Sequence, residues 1–303
     1  MIVLVVAALV IDHFGWLEVT DNLGLSEGGQ RTTTIAEGNV QVHFIDVGQG
    51  DAVLILSESR SVLIDAGDRP YGDAVVEYIK RVGLPREKLC LIIASHPHAD
   101  HIGGMEKVLD EIGTERFIKP QIADEYLPET ATFERKMNAL QSSDIEVSFA
   151  QVGYKFDLGA GAYIEILAPY DCFGNSINNH SVIARLVHGE NAFLFTGDVE
   201  RAGEDDLLFR EVELSANVLK VSHHGSRTST QRGILEAVRR GFTQEDELFA
   251  VISVGSPNQH SHPHDETLQR LDATGFTILR TDTHGHVVFE SSATGLQLFS
   301  ENH

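Results

Sequence analysis

A short apolar run is followed at once by a crowded group of imidazole and carboxylate side chains. Residues 89–93 read Leu-Cys-Leu-Ile-Ile, and Ser95-His96-Pro97-His98-Ala99-Asp100-His101 comes directly after them. The apolar run predicts a buried strand, so the polar group lies on one turn at the end of that strand. Imidazole nitrogen and carboxylate oxygen are ligands that suit Zn, Mn or Fe. The spacing therefore favours a metal site over a solvated histidine-rich turn.

The spacing within this turn divides the ligands into two sets. His96 and His98 alternate, so their side chains can reach one ion, while Asp100 and His101 can serve a neighbouring ion. One loop can thus begin two metal sites.

A second strand end carries a single carboxylate. Phe193-Leu194-Phe195 predicts a strand, and Thr196-Gly197-Asp198 follows it. A Gly-Asp pair at a strand end is often only a turn. Beside the histidine-rich loop, however, Asp198 is a candidate bridge between two ions held about 3.5–4 Å apart, as in two-metal hydrolases.

Three further histidines are candidates for the remaining nitrogen ligands. His223 and His224 lie in Ser-His-His-Gly-Ser at the end of an apolar run, and either can complete the second ion's set. His180 precedes the apolar run at residues 182–187 and offers a third nitrogen for the first ion. A structural role for His180 in its loop is nearly as well supported by the sequence.

Apolar patterning predicts a layered α/β body, because strands alternate with helices along most of the chain. The order of elements between residues 114 and 161 stays open. The predicted strands are 42–45, 52–56, 61–64, 89–93, 163–167, 182–187, 192–195, 218–221, 249–254, 277–280 and 286–290, and the predicted helices are 73–82, 132–140, 200–210 and 265–273.

The N-terminal residues differ in composition from the rest. We assign residues 1–39 to an apolar segment and a linker, and residues 40–303 to the domain that carries the candidate metal ligands. Residues 1–11 are apolar but are half the roughly 20 residues that cross a bilayer. A signal segment, the end of a truncated membrane helix and a buried strand all fit, so membrane association, export and a cytoplasmic location stay open. Cys90 and Cys172 indicate no disulfide framework.

The formal charge of −22 constrains the partners of this chain. Such a field repels nucleic acid and anionic membranes unless a local basic surface reverses it. The candidates for that surface are Lys220, Arg227, Arg232, Arg239 and Arg240.

In this order, the histidine loop, His180, Thr-Gly-Asp and His-His-Gly-Ser resemble the metallo-β-lactamase superfamily. More narrowly, the chain from about residue 40 to 290 resembles the C-terminal hydrolase domain of ComEC-type DNA-uptake proteins. The motifs that carry this likeness are Asp46-Val47-Gly48-Gln49-Gly50-Asp51, Leu63-Ile64-Asp65-Ala66-Gly67, Asn179-His180-Ser181-Val182, Leu219-Lys220-Val221-Ser222-His223-His224-Gly225-Ser226 and His262-Pro263-His264.

The resemblance implies an αββα sandwich of two mixed sheets flanked by helices, with two divalent ions, Zn or Mn, in a cleft at one edge. It gives His96, His98 and a later histidine to the first ion, Asp100 and His101 to the second, and Asp198 to both. His180 stands where ComEC-like chains often have asparagine, which leaves its ligand role open. It implies that Asp65 orients ligands without binding metal.

The expected reaction is hydrolysis of a phosphodiester by a water molecule that the two ions activate. Asp100, His224 and His264 are the expected catalytic residues; either of His223 and His224, or His262 or His264, can protonate the leaving oxygen or hold the phosphate. DNA is the leading substrate. The alternatives are a small phosphodiester or other ester, and a non-catalytic metal-binding domain of a DNA-uptake machine.

A membrane channel is a further expected partner, by the same resemblance. A nucleotide cofactor is not expected, because Gly48-x-Gly50 lacks the third glycine of a dinucleotide fingerprint and no phosphate-loop motif is present. His284 and His286 are expected in a surface hairpin turn, and Asp46 and Asp51 at the cleft edge or as turn-forming carboxylates.

Overall fold

The computed structural model describes residues 35–123, 140, 144–170 and 176–300. The apolar segment of residues 1–11, most of the linker that follows it, nearly all of the helix predicted at 132–140, and Cys172 lie outside the described residues.

The described residues form strands that are short and mostly buried. They are β1 (Val40–Phe44), β2 (Val53–Ser57), β3 (Ser61–Ile64), β4 (Leu91–Ile93), β5 (Arg116–Lys119), β6 (Glu146–Phe149), β7 (Lys155–Gly159), β8 (Ala162–Ala168), β9 (Ile183–His188), β10 (Asn191–Phe195), β11 (Val218–Lys220), β12 (Phe249–Ile252), β13 (Thr277–Arg280), β14 (Val287–Ser291) and β15 (Leu296–Ser300).

Helices connect and cover these strands. They are α1 (Gly72–Val82), α2 (Ala99–Ile102), α3 (Met105–Glu111), α4 (Arg201–Phe209), α5 (Arg232–Val238), α6 (Asp265–Ala273) and α7 (Thr281–His284), with 3-10 turns at Arg69–Tyr71, Ile177–His180 and Ser222–Gly225. No helix within the described ranges is both long and apolar enough to cross a membrane.

The strands pair into two mixed sheets. Sheet one has the order β15-β14-β1-β2-β3-β4-β5-β6, and sheet two has the order β13-β12-β11-β10-β9-β8-β7. In sheet one the strands from β3 to β6 are parallel, and in sheet two those from β10 to β13 are parallel. The remaining neighbours in both sheets are antiparallel.

Three apolar clusters define four layers. One cluster joins side chains from both sheets, including Phe44 and Phe289 of sheet one and Phe193 of sheet two. A second lies between sheet two and helices α4 to α6, and a third lies between sheet one and helices α1 and α3. The architecture is therefore the predicted αββα sandwich, which buries each sheet on both faces.

Strand β10 shows why the strands are apolar throughout. Phe193 and Phe195 belong to the cluster between the sheets, whereas Ala192 and Leu194 belong to the cluster beneath the helices. Successive side chains of a strand point to opposite faces, so a strand with helices on one side and a sheet on the other needs apolar residues on both.

Most predicted elements form within two residues of their predicted bounds, and β3, α6 and β13 match them. The sequence leaves the order of elements open between residues 114 and 161, where β5, β6 and β7 form, and it does not predict α3, α5 or β15. β6 lies at a sheet edge with all four residues exposed, so it lacks the apolar pattern that marks a strand.

The prediction of a surface hairpin at His284 and His286 is wrong. His284 ends the short helix α7, and its Nδ1 accepts a hydrogen bond from the Arg280 amide at 3.1 Å. His286 is half-buried, packs against the Tyr78 ring with centroids 4.5 Å apart, and accepts a bond from the Asp46 amide. Both histidines therefore connect neighbouring segments.

Candidate metal centre

The sequence-predicted site residues follow strands that run in parallel. In sheet one, Asp65 follows β3 and the loop of His96 follows β4; in sheet two, Asp198 follows β10 and His224 follows β11. The carboxyl ends of parallel strands open at the same edge, which is where open α/β sheets place their sites. The sandwich brings these two edges together.

Two groups of candidate ligands converge, with the ligand atoms of each group all within 4.8 Å of one another. The first group is His96, His98 and Asp198, and the second is Asp100, His101, Asp198 and His224. Asp198 belongs to both groups, as the sequence predicts. We name these groups the first pocket and the second pocket.

The carboxylate of Asp198 lies between the imidazoles of both pockets. Its Oδ1 is 3.2 Å from Nε2 of His101, and its Oδ2 is 3.8 Å from Nε2 of His96 and 3.6 Å from Nε2 of His224. Asp100 completes the second pocket, with Oδ2 3.2 Å from His224 Nε2. One carboxylate that faces both sets is the geometry of a bridging ligand.

Each of the three buried imidazoles uses Nδ1 for a protein partner and directs Nε2 toward Asp198. His101 Nδ1 lies 2.8 Å from Asp65, His224 Nδ1 lies 2.8 Å from the Ser253 carbonyl, and His96 Nδ1 lies 3.1 Å from Ser95 Oγ. A proton on Nδ1 in each ring leaves the Nε2 lone pair free to bind a metal.

Asp65 anchors two of these rings. Its carboxylate accepts hydrogen bonds from the Ser95 amide at 2.8 Å and the Ser95 hydroxyl at 2.5 Å, in addition to its contact with His101. Its φ of 58° is in the left-handed region, which aspartate and asparagine tolerate better than bulky residues do. The orienting role implied for Asp65 fits these contacts.

Gly197 allows three loops to meet under the site. Its φ is 50°, and a Cβ there would lie 2.9 Å from Ser181 Oγ and 3.1 Å from Ser95 Cβ. Ser181 Oγ also accepts a hydrogen bond from the Asp198 amide at 3.1 Å. A glycine at this position is therefore required to bring Asp198 close to the loop after β4.

The two adjacent histidines have different positions. His224 is buried and reaches both Asp100 and Asp198, whereas His223 is partly exposed, with Nε2 3.9 Å from Asp198 and Nδ1 3.7 Å from Glu200. The geometry thus favours His224 as the ligand and leaves His223 at the open side of the site.

His180 lies beside the site, but it is not part of either pocket. It is fully buried at the end of the 3-10 turn Ile177–His180. Nearby, the Val182 amide donates to the Ser95 carbonyl at 2.8 Å, which holds this turn next to the loop after β4. Its assignment as a ligand of the first ion stays a prediction.

Electrostatics inside the site favours a bound cation. Burial alone would lower the pKa of His101, but four carboxylates hold it well above its ordinary value: Asp198, Asp100, Asp51 and Asp65. The same opposition of burial and carboxylates raises the pKa of His224 to about 10. Without a metal, these imidazoles hold protons that a divalent ion would displace.

The donor set fits divalent metal ions. The pockets offer imidazole nitrogens and carboxylate oxygens, with no thiolate, and the buried Nε2 of His101 and Oδ1 of Asp198 face each other at 3.2 Å without hydrogen-bond geometry. Buried polar atoms without hydrogen bonds are costly, and coordination of a cation would satisfy both.

Sequence reasoning underestimated two residues beneath the second pocket. Asp51 is buried, and its two oxygens lie 3.7 Å from His101 Nδ1 and 3.4 Å from His224 Nδ1. Its ion-pair partner is Lys220, whose side chain is 2% exposed. The prediction that Lys220 forms part of a basic surface is therefore wrong, and the unusual signal was a lysine within an apolar strand.

The other predicted basic residues are distributed differently. Arg227 and Arg240 are exposed, and Arg232 is exposed but paired with Glu236 at 2.7 Å. Arg239 donates to the carbonyls of Thr274 and Thr243. Of these residues, Arg227 contacts the loop that contains His262 and His264, because its amide donates to His264 Nδ1 at 3.1 Å.

The loop before α6 adds imidazoles to the open side. The His262 ring lies 5.6 Å from the His223 ring and 6.3 Å from the His224 ring, and His264 lies behind it at 4.9 Å. Burial and the neighbouring histidines, His224 first among them, lower the pKa of His262 to about 3. His262 is thus closer to the two adjacent histidines than the predicted His264.

A cleft of about 750 Å³ opens from the second pocket. Its lining includes Ala99 and Asp100, Gln49, Tyr71 and residues 255–260. Its lining contains the carboxylates of Asp46, Asp68, Asp100 and Asp282 and no lysine or arginine.

Comparison with known proteins places this chain in a family. Residues 45–241 match the model of the metallo-beta-lactamase superfamily. The chain is 30% identical over 252 residues to Recombination protein 2 of Haemophilus influenzae, 27% identical over 267 residues to ComE operon protein 3 of Bacillus subtilis, and 28% identical over 269 residues to Competence protein ComA of Neisseria gonorrhoeae.

These alignments cover 82%, 82% and 88% of this chain but 28%, 33% and 34% of the relatives. The chain thus spans about a third of the length of each.

Solved structures agree on the fold. The metallo-beta-lactamase fold protein YhfI of Bacillus subtilis has a TM-score of 0.55 and 16% identity, covering 84% of this chain and 99% of its own. CmlA of Streptomyces venezuelae, a diiron beta-hydroxylase, has a TM-score of 0.51 and 15% identity, covering 83% and 54%. The chain belongs to the metallo-beta-lactamase superfamily, and the resemblance to ComEC-type proteins is confirmed.

Proposed function

We propose that this member of the metallo-beta-lactamase superfamily is a two-metal phosphodiesterase that acts on DNA. The observation that carries the proposal is the position of Asp198, which faces Nε2 atoms of both pockets at 3.2 to 3.8 Å. A binding module has no need for a shared carboxylate between two open ligand sets.

His96 and His98 would hold the first ion, Asp100, His101 and His224 the second, and Asp198 both. Two divalent ions, Zn or Mn, would act as Lewis acids toward the phosphoryl oxygens and activate water. The chain keeps the imidazoles in the tautomer that binds metal, through Asp65, Ser95 and the Ser253 carbonyl. No nucleophile from the chain is needed.

The leaving oxygen needs a proton donor on the open side. His223 is partly exposed beside Asp198, and His262 is the next ring outward. His264 lies one ring farther away, and its Nδ1 is engaged by the Arg227 amide, which leaves Nε2 to carry a proton. Burial lowers the pKa of both His223 and His262. We therefore assign these two rings to hold the phosphate and His264 to support His262, and leave protonation of the leaving oxygen to solvent water.

DNA is proposed because relatives over most of this chain are named for recombination and competence. The exposed Arg227, next to the loop that contains His262 and His264, would contact the phosphate backbone of DNA. By the same likeness we propose that residues 40–303 form a hydrolase domain that works beside a membrane channel.

A small phosphodiester is a second candidate substrate, and the cleft favours it. The cleft lining carries four aspartates and no lysine or arginine, so a ligand with several phosphates would meet repulsion there. A substrate with one phosphate at the pockets and neutral groups in the cleft avoids that cost.

The test is an activity screen of the purified chain with Mn or Zn added. The substrates are single-stranded DNA, bis-p-nitrophenyl phosphate and a lactone, and an Asp198→Asn variant is the control. We expect cleavage of the first two, and loss of both in the variant. Cleavage of the lactone alone, or turnover that survives the substitution, would refute the proposal.

A further inference from the structure

A third group of candidate ligands lies deeper than the two pockets. Asp51, Asp65 and His101 have ligand atoms within 4.8 Å of one another, all on the Nδ1 side of the His101 ring. We name this group the inner cluster. Its two carboxylates are buried, so their charge requires compensation.

Lys220 already supplies a cation to the inner cluster. It is the last residue of β11, and Val218, two residues earlier, lies in the apolar cluster between the sheets. Alternation places the Lys220 side chain on that interior face, where lysine is rare. Its ammonium pairs with Asp51 and donates to the Gly197 carbonyl at 3.3 Å.

Through Gly197 and Asp51, these contacts connect Lys220 to Asp198, His101 and His224 of the second pocket. The Gly197 carbonyl precedes Asp198 and also accepts a hydrogen bond from the His223 amide at 3.2 Å. Asp51 lies against the Nδ1 atoms of His101 and His224, and its own amide donates to the Asp100 carbonyl at 3.1 Å. The first pocket shares only the contact through Asp198, because neither His96 nor His98 is paired with Asp51 or Lys220 among the described contacts.

We propose that Lys220 is a positioning residue for the second pocket: a built-in cation that fills the inner cluster and fixes Asp198, His101 and His224 from below. The inference rests on the proposed metal site, and it names the group on which the second ion depends. It also explains why two ions are expected although three ligand groups are present, because the Lys220 ammonium occupies the inner cluster in place of a third metal ion.

The test is a titration of the metal-free full chain with Co²⁺, monitored by visible absorption. A second titration adds Zn²⁺ as a competitor. Lys220→Met removes the charge and keeps an unbranched side chain of similar length. We expect its second Co²⁺ to bind about 10–100-fold more weakly, the usual effect of losing a group that supports ligands. The first Co²⁺ should change much less.

Val218→Ala is the matched control. It lies on the same strand and the same interior face, but it makes none of the contacts of Lys220. It should lower the melting temperature without changing either Co²⁺ affinity. Equal loss of both affinities in Lys220→Met, or no loss, would overturn the proposal.

A second variant and a second measurement keep the proposal testable if Lys220→Met does not fold. Asp51→Asn keeps the shape and leaves the Lys220 ammonium uncompensated behind His101 and His224, so it too should weaken the second ion selectively. Hydrogen exchange of the metal-free protein should show faster exchange at the amides of Asp198 and His223 in either variant, and not in Val218→Ala. Failure of the wild type to bind two ions would refute the proposed function, while unchanged exchange would refute the role of Lys220.

Discussion

The two halves of the site are built in different ways. The half from sheet one places His96, His98, Asp100 and His101 on a single turn after β4, and it is held by the neighbouring Ser95 and by Asp65. In the half from sheet two, Asp198 and His224 each come alone from a different strand end. Asp198 is held by Ser181, which lies 17 residues away in sequence, and His224 is held by Ser253, 29 residues away.

This difference shows where the site depends on local sequence and where it depends on packing. The turn after β4 carries four ligands on neighbouring residues, so a single strand end brings them together. The sheet-two half reaches the same place only if β10, β11 and β12 hold their register and Lys220 holds the turn of Asp198. Substitutions in the two halves should therefore have different consequences.

The largest effect is expected where the halves meet. Asp198→Asn keeps the shape of the shared side chain but removes the charge that both pockets use. We expect phosphodiester turnover to fall by about 10²–10³-fold or more, since this charge supports the electrostatics of the reaction. Kinetics with bis-p-nitrophenyl phosphate measure the loss, and circular dichroism checks the fold. Turnover within a few-fold of wild type would remove Asp198 from its bridging role.

A change in the sheet-one half should weaken both ions. Asp65→Asn retains a residue that tolerates the φ of 58° but removes the carboxylate that orients His101 directly and His96 through Ser95. We expect both Co²⁺ affinities to fall about 10–100-fold. This contrasts with the selective loss expected for Lys220→Met. A loss confined to one ion would show that Asp65 does not anchor both rings.

The sheet-two half also contains a titratable support. Glu204 of α4 is buried and accepts hydrogen bonds from the Thr230 and Gln231 amides, and Thr230 Oγ1 in turn accepts from the Ser222 amide. Burial raises the pKa of Glu204 from 4.5 to about 7. In the folded state it thus keeps its proton to higher pH than in the unfolded state.

Because its folded pKa is raised, Glu204 contributes stability that is fully present below about pH 4.5 and is lost as pH rises toward 7. The free energy of unfolding of wild type relative to Glu204→Gln should fall by up to about 1.4 kcal/mol per pH unit in that window. Urea denaturation from pH 4.5 to 8 measures it. Glu236→Gln, on an exposed face of α5, is the control and should give a flat difference. If the difference in free energy of unfolding between wild type and Glu204→Gln also does not change with pH, the pKa of Glu204 in the folded protein is ordinary.

The smallest effect is expected at the exposed Arg227, beside the loop that contains His262 and His264. Arg227→Ala should raise KM for single-stranded DNA several-fold and reduce the slope of its salt dependence by about one, and leave bis-p-nitrophenyl phosphate unaffected. Arg232→Ala, whose side chain is exposed and paired with Glu236, is the control. If neither change affects DNA cleavage, the small phosphodiester becomes the favoured substrate.

Much of the fold was predictable because both sheets are buried on two faces. Continuous apolar runs such as β10 and β12 therefore stand out. The exposed edge strand β6 has no such signal, and its place beside β5 comes from pairing alone. Similarly, His284 and His286 resemble a turn in sequence, and only packing against Tyr78 and the Asp46 amide gives His286 its position.

The sequence by itself determined the residue types of the site, because metal-binding side chains at strand ends reflect local spacing that folding does not alter. It also determined the layered architecture, since apolar periodicity states which faces are buried. Only the tertiary structure buried His224 beside Asp100 and Asp198 and left His223 partly exposed. It also placed Lys220 under the site instead of on the surface, and put the His262 ring nearer than the His264 ring to His223 and His224. Those choices depend on side-chain directions and burial, which arise when two sheets meet.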